Sequence, residues 1–231
     1  MKYFNQKLAP IIYNDIDLHT AYQKIINYQS IWVVTPNIDH LCKLFEYKEL
    51  QLIYQQADLI LNDSKVFQII TILFFNKIKN VVRGSDLTKY LVKKSQNKNF
   101  LIFGNEFDIY KLKKFNLKNK YIFEKATFNK IDITKDLDNI KNTISRQHID
   151  YILLCGGFPY SEKIAFSLRK FKNLKILCVG NSVNFITGQT KRAPELLSNI
   201  GLEWLFRAIQ EPRLIKRYIK NLYYFILIFK K

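Results

Sequence analysis

The sequence has little cysteine, and the three thiols do not suggest a framework of disulfides. Cys42, Cys155 and Cys178 are odd in number, widely separated and set in apolar runs. This pattern favours buried free thiols in a reducing compartment. No Cys-x-x-Cys motif or Cys/His cluster occurs, so we expect neither a bound metal nor another cofactor.

Long hydrophobic runs are also missing. The longest apolar stretches, 66–75 and 222–229, fall well short of the roughly 20 residues that a membrane-spanning helix needs. The first residues, MKYFNQKLAPII, contain no continuous apolar segment of the kind found in signal peptides. We therefore expect a cytoplasmic protein that is soluble or attached to a membrane surface.

Acidic residues are scarce relative to basic ones, with 19 Asp and Glu against 37 Lys and Arg. The resulting net charge of +18 favours an acidic partner, and nucleic acid, anionic lipid and phosphorylated substrates all qualify. Part of this excess fits a solvated, lysine-rich surface equally well. Charge alone therefore does not choose among these partners.

Glycine is rare, and the chain lacks both GxGxxG and GxxxxGK[ST], which argues against a standard dinucleotide or P-loop site. What the chain does contain is an alternation of short apolar runs with longer helical patterns. The predicted strands are 31–35, 58–61, 100–103, 150–155 and 174–179. The predicted helices are 38–55, 64–75, 86–96, 106–115, 135–146 and 160–171. This order predicts an α/β fold with a Rossmann-like, largely parallel sheet flanked by helices.

Ligands of such sheets bind beyond the carboxyl ends of the strands, where polar segments of this chain collect. Asp63 is the most interesting carboxylate, because it follows one apolar run and precedes another. Partial desolvation would raise its pKa and suit it to act as a general base. The alternative is that Asp63 caps the helix that starts at Ser64.

The C-terminal part concentrates the rare arginines, since four of seven lie between residues 192 and 217. The guanidinium fork suits phosphate better than a lysine ammonium does. Beyond Pro212, a helical wheel separates a basic face from an apolar one; the basic face contains Arg213, Lys216, Arg217 and Lys220. We predict a core over residues 1–202 and a basic amphipathic helical appendage over 203–231. Docking on its own domain and binding to an anionic membrane both fit this helix, and the aromatic run 223–229 favours a membrane or a partner.

The closing segments RAP (192–194), GLEW (201–204), Arg207, EP (211–212) and Arg217, preceded by VGNSVNFITG, resemble the signature of the WecG/TagA/CpsF glycosyltransferases. Weaker segments from TPN to GGFPYSE follow in the order of that family. The resemblance implies an inverting, metal-independent transfer from a UDP-sugar to a polyprenyl-diphosphate-linked saccharide at the inner face of the bacterial membrane. The sugar would be N-acetylmannosamine, its uronic acid or a related hexose.

The resemblance also implies roles for individual residues. Asp63 takes the place of the catalytic base, and Arg207 and Arg217 match arginines that hold the acceptor diphosphate, with Arg213, Lys216 and Lys220 beside them at the membrane. The implied substrate-binding residues are Thr35, Asn37, Arg83, Ser161, Glu162 and Asn184.

The chain departs from the family pattern where Ser161 replaces Gln, Asn184 replaces Asp and Leu214 stands at an arginine position. These departures put the donor sugar in doubt. They leave a catalytically inactive assembly factor as an alternative, beside a basic nucleic-acid-binding module. We expect no nucleic-acid partner, and self-association is left open.

Overall fold

The computed structural model describes residues 2–5, 9–75, 78–105, 107, 109–129 and 132–229. The strands are β1 Lys2–Asn5, β2 Ala9–Asn14, β3 Ile31–Val34, β4 Leu59–Ile60, β5 Asn99–Gly104, β6 Lys120–Lys125, β7 Tyr151–Leu154 and β8 Lys175–Cys178. The first two form an antiparallel pair, and the other six form one sheet in the order β4-β3-β8-β7-β5-β6. All neighbours within that sheet are parallel. The predicted α/β class with a largely parallel sheet is confirmed.

Helices cover both faces of the sheet. They are α1 Leu18–Asn27, α2 Ile38–Glu46, α3 Lys48–Tyr54, α4 Lys65–Phe75, α5 Gly84–Lys94, α6 Ile109–Lys113, α7 Thr134–Arg146, α8 Tyr160–Leu168, α9 Ser182–Thr187, α10 Glu195–Asn199, α11 Glu203–Gln210 and α12 Ile215–Phe229. A single 3₁₀ turn, Pro212–Leu214, joins α11 to α12.

The strands form because their side chains are apolar on both faces. In β3, Trp32 and Val34 join one buried cluster, while Ile31 and Val33 join the other on the opposite side of the sheet. A strand that is buried on both faces has an unbroken run of apolar residues in its sequence. This is why β3 could be predicted from the sequence. The three cysteines are free, as expected, with Cys42 and Cys178 buried and Cys155 half-buried.

One predicted helix is wrong as drawn. The pattern over 38–55 indicated a single helix, but the chain leaves helical geometry at Tyr47 (φ −123°, ψ 97°), which ends α2 and precedes α3. The break turns α3 so that Leu50 and Tyr54 point into the core. The strands β1, β2 and β6 and the helices α1, α9 and α10 had not been predicted. In β6 the apolar run at 121–123 is only three residues long and charged residues flank it, which hides the strand signal.

The C-terminal helix α12 packs beside α2, where Lys220 forms an ion pair with Glu46 (2.7 Å). This contact agrees with a terminal helix docked on its own core. The boundary between a core over 1–202 and an appendage over 203–231 stays a prediction. Within the described ranges, no helix combines the length and the apolar character needed to cross a membrane.

Candidate functional site

A large cleft opens at the carboxyl ends of β3, β4, β7 and β8, with a volume of about 1210 Å³. Its walls come from the segments that follow these strands and from α11 and α12. Seven of the predicted site residues line it: Thr35, Asn37, Asp63, Arg83, Glu162, Arg207 and Arg217. Parallel strands gather distant segments at one edge of a sheet, which explains why residues 35 to 217 meet here.

Asp63 lies on the cleft wall just beyond β4. Its Oδ1 accepts a hydrogen bond from the backbone N–H of Gly84 (2.8 Å), the first residue of α5. Although the side chain keeps a partly accessible surface, surrounding protein desolvates the carboxyl and raises its pKa to about 7. The negative charge of Glu203 adds to this rise, while the Gly84 N–H and Arg83 oppose it. A carboxyl with this pKa can accept a proton near neutrality.

The alternative role for Asp63, as a cap of α4, is not what the structure shows. Ser64 supplies the cap, since its Oγ accepts the N–H of Phe67 (3.2 Å). The contact with Gly84 depends on that residue having no side chain. A Cβ there would come within 3.0 Å of both Ser182 Oγ and Thr35 Oγ1. Glycine thus lets the start of α5 approach the strand ends closely enough to meet Asp63.

Thr35 and Asn37 both shape the wall at the end of β3. The hydroxyl of Thr35 donates to the carbonyl of Cys178 (3.1 Å) and so ties the ends of β3 and β8 together. The Oδ1 of Asn37 accepts the N–H of Asp39 (3.0 Å) and caps α2. Both side chains therefore hold their surroundings in place while facing the cleft.

Arg83 joins α5 to the C-terminal segments. Its guanidinium donates to the carbonyl of Ser198 (3.0 Å) and approaches Glu203 (3.7 Å) and Asp86 (3.8 Å). The carboxylate of Asp86 also binds Arg192 through two hydrogen bonds of 2.5 and 2.9 Å. This network fixes the start of α11 against the core, on the side of the cleft where Asp63 lies.

Arg207 and Arg217 are the cleft arginines that the appendage supplies. The Nε of each is buried and has no hydrogen-bond partner among the described residues. Arg207 stacks over the ring of Phe185 (5.5 Å) and Arg217 over Tyr218 (5.3 Å). Buried donors that are left unpaired are costly, and a bound anion would satisfy them.

Five other predicted residues do not line the cleft. Ser161 is buried behind it, with Oγ accepting the N–H of Gly156 (3.0 Å), and Asn184 donates to the side chain of Asn181 (2.6 Å). The remaining three are basic residues of the appendage. Arg213 is 84% exposed and pairs with Glu211 (2.8 Å), Lys216 is exposed, and Lys220 is held by Glu46. The structure therefore divides the predicted basic group into residues inside and outside the cleft.

A second wall of the cleft, which had not been predicted from the sequence, is formed by His40, Lys43 and Phe158. The His40 ring stacks on Phe158 with centroids 4.7 Å apart, and Lys43 donates to the carbonyl of Phe158 (3.2 Å). The available signal was the position of His40, three residues after the strand-end Asn37 on a helix that starts at the cleft.

Acidic groups of the described chain do not cluster as metal ligands, since no three His, Cys, Asp or Glu side chains converge there. Two Asp-x-Asp sequences occur, at 15–17 and 136–138, and neither lines the cleft. Asp15 accepts backbone N–H groups of Lys79 and Asn80, and Asp136 is buried against Thr127 and Tyr160.

Replacing Asp63 with Asn should stabilise the protein more at pH 8 than at pH 5, by about 2–3 kcal/mol. The folded pKa of about 7 lies above the ordinary value of 3.8, so the ionisation of this carboxyl lowers the stability as the pH rises from the ordinary pKa to the folded one. The amide oxygen of Asn still accepts the Gly84 N–H and carries no charge. Urea unfolding at both pH values measures the difference, and an equal effect at each pH would contradict the raised pKa.

Comparison with known proteins identifies the family of the chain. The model of the glycosyl transferase WecG/TagA/CpsF family matches residues 4–231. A curated relative, the N-acetylglucosaminyldiphosphoundecaprenol N-acetyl-beta-D-mannosaminyltransferase of Bacillus subtilis (strain 168), is 24% identical over 182 residues. That alignment covers 78% of this chain and 71% of the relative. The chain belongs to the WecG/TagA/CpsF family.

Proposed function

We propose that this member of the WecG/TagA/CpsF glycosyltransferase family is an inverting, metal-independent enzyme that transfers a sugar from a UDP-sugar to a polyprenyl-diphosphate-linked saccharide. The transferred sugar is N-acetylmannosamine, its uronic acid or a related hexose. The name of the Bacillus subtilis relative supports both the sugar and the acceptor class. The product would enter the synthesis of a bacterial cell-surface polysaccharide.

The observation that carries this proposal is one cleft lined by two chemically distinct kinds of group. Asp63 offers a carboxyl with a pKa of about 7, while Arg207 and Arg217 present buried donors without partners in the described chain. A sugar transfer onto a lipid diphosphate needs both, since the hydroxyl must lose a proton and the phosphates must be bound.

In the proposed reaction, Asp63 removes the proton from the acceptor hydroxyl as its oxygen attacks the anomeric carbon of the donor. The new C–O bond forms on the face opposite the leaving group, and the bond to UDP breaks with inversion. Arginine and backbone N–H groups stabilise the charge that develops on the diphosphate. Thr35 and Asn37 contact the substrates from the cleft wall, and Glu162, which is almost fully buried in that wall, acts on them through its neighbours.

Arg207 and Arg217 hold the acceptor diphosphate in this proposal. Apolar side chains of the appendage lie beside them on the cleft and are more than 45% exposed, namely Ile215, Ile219 and Leu222. Exposed apolar groups next to cations suit an anionic membrane surface. We therefore propose peripheral attachment to the inner leaflet of the cytoplasmic membrane, through which the enzyme reaches its lipid-linked substrate.

The test is to incubate the purified protein with a panel of UDP-sugars and a short-chain polyprenyl-diphosphate-sugar. We expect transfer with inversion at the anomeric carbon, and an undiminished rate in EDTA. Binding of UDP without any transfer would point to an inactive assembly factor. Tight, strongly salt-dependent binding of an oligonucleotide without UDP binding would point to a nucleic-acid-binding module.

A further inference from the structure

A chain of three polar side chains runs from the cleft into the core through α2, α3 and α8. The Nδ1 of His40 lies 2.7 Å from the hydroxyl of Tyr54. Tyr54 is fully buried, whereas His40 lines the cleft. The described residues supply no partner for the other ring nitrogen of His40, Nε2, and do not enclose it. This nitrogen is therefore open to a ligand in the cleft.

Glu162 is the third member of the chain. Its side chain is only 2% exposed, yet it also lines the cleft. Tyr54 lies close enough to affect the pKa of this carboxyl, but the two side chains do not form a hydrogen bond in the structure. The Oε2 atom of Glu162 is buried and has no partner within the described chain. A buried carboxyl oxygen without a partner is costly when ionised. Its protonation relieves that cost and gives it a hydrogen to donate.

Two arrangements of hydrogens satisfy all three side chains once Tyr54 and Glu162 close the remaining hydrogen bond. With Glu162 protonated, its O–H donates to the Tyr54 oxygen, Tyr54 donates to His40 Nδ1, and Nε2 carries the imidazole hydrogen. With Glu162 ionised, Tyr54 donates to the carboxylate, His40 Nδ1–H donates to Tyr54, and Nε2 becomes an acceptor. Neutral imidazole has one donor and one acceptor nitrogen, so the two states are exclusive.

We propose that Tyr54 and Glu162 are positioning residues that set the tautomer of His40, so that its Nε2–H donates to an acceptor-only oxygen of a bound sugar. The carbonyl oxygen of an N-acyl group is such an acceptor, whereas a hydroxyl can adapt to either tautomer. The identity of this ligand rests on the proposed function, but the coupling of the three side chains does not.

The charges around the chain set its pH range. Burial lowers the pKa of His40 to about 3 and keeps the ring neutral, and burial raises the pKa of Glu162 to about 7. The charged or titratable groups facing these side chains are Asp39 and Lys43 from α2, Arg217 from α12, Cys178 from β8 and Tyr13 from β2. The donor form of Nε2 is therefore present below pH 7 and is lost as the pH rises through 7.

Nitrogen-15 NMR of the imidazole rings tests the coupling without any substrate. The chain has only three histidines, so the spectrum of a His40→Gln variant assigns the signals. We expect His40 to stay neutral from pH 5 to 9 and to change from the Nε2–H to the Nδ1–H tautomer with a midpoint near 7. In Glu162→Gln, whose amide donates like the protonated acid, the Nε2–H tautomer should persist at every pH.

Two tyrosine variants, one as the test and one as its matched control, examine the role of the Tyr54 hydroxyl. Tyr54→Phe should abolish the tautomer change, whereas Tyr121→Phe, which removes from the far edge strand β6 a hydroxyl that donates to the carbonyl of Asn116, should leave it intact. A His40 that forms imidazolium near pH 6.5 overturns the proposal. The proposal is also overturned if the unaltered protein keeps one tautomer at every pH, or if the tautomer change persists in Tyr54→Phe.

Binding measurements test whether His40 contacts the carbonyl oxygen of an N-acyl group, and on which sugar. The affinity for UDP-N-acetylmannosamine, or for a lipid-diphosphate N-acetylglucosamine analogue, should fall about three- to tenfold between pH 6 and 8. The matched UDP-mannose and lipid-diphosphate glucose should show no such loss, and neither should Glu162→Gln with any ligand. The N-acyl ligand that shows the loss identifies which sugar contacts His40. Absence of the loss for both overturns the assignment of the ligand, even where transfer activity is normal.

Discussion

Asp63→Asn should lower the turnover of sugar transfer by about 10³-fold or more, because an amide cannot take the proton from the acceptor hydroxyl. UDP affinity should change by less than about twofold, since the amide oxygen keeps the hydrogen bond from the Gly84 N–H and the wall keeps its shape. Single-turnover transfer and calorimetric titration with UDP separate the two effects. Asp63 is not the base if turnover is unchanged.

Asp58→Asn is the matched control for that substitution. Asp58 accepts the backbone N–H of Trp32 (2.8 Å) as Asp63 accepts that of Gly84. It precedes β4, at the end of the strand away from the cleft, and does not line it. The control therefore removes a carboxylate with a similar structural contact but should leave turnover within about threefold.

The pH dependence of kcat/KM gives a second readout for Asp63. Because its pKa lies at about 7, the rate should fall tenfold for each pH unit below that value as the base becomes protonated. The acid limb should persist in Glu162→Gln, which removes the other cleft carboxyl with a pKa near 7. A flat profile between pH 5.5 and 8 would count against a base of this pKa.

The sequence predicted those parts of the fold that depend on local patterns. Uninterrupted apolar runs located β3, β5, β7 and β8, and the end of such a run located Asp63. The antiparallel pair of β1 and β2 and the strand β6 escaped because their uninterrupted apolar runs are only two or three residues long. The break at Tyr47 escaped because the pattern on either side of it is helical.

The contacts that organise the cleft depend on tertiary packing that no local pattern records. His40 and Tyr54 meet only because the chain turns between α2 and α3, and Arg83 binds Ser198 across 115 residues. Ser161 and Asn184 were predicted on the wall from their motif positions. In the structure their short side chains bond to neighbouring groups behind it.

The five predicted cations of the appendage separate into two that line the cleft and three that do not, and this separation yields the second large prediction. Arg207→Gln combined with Arg217→Gln should lower kcat/KM for a short-chain polyprenyl-diphosphate-sugar by about 10²-fold or more, because each charge-assisted hydrogen bond contributes about 1.5–3 kcal/mol. Both arginines line the cleft with buried, unpartnered Nε groups in the described chain. The assay uses detergent-dispersed acceptor, so that attraction to a membrane does not enter the rate.

The matched control combines Arg213→Gln with Lys216→Gln. It also removes two positive charges from the appendage, but from residues that lie outside the cleft. We expect its kcat/KM in detergent to stay within about threefold, while its binding to vesicles of anionic lipid weakens by about 1 kcal/mol per charge removed. Equal losses of transfer in both double variants would mean that the appendage contributes only net positive charge. A loss confined to the cleft pair would mean that Arg207 and Arg217 recognise the diphosphate itself, because the two pairs differ in position and not in charge.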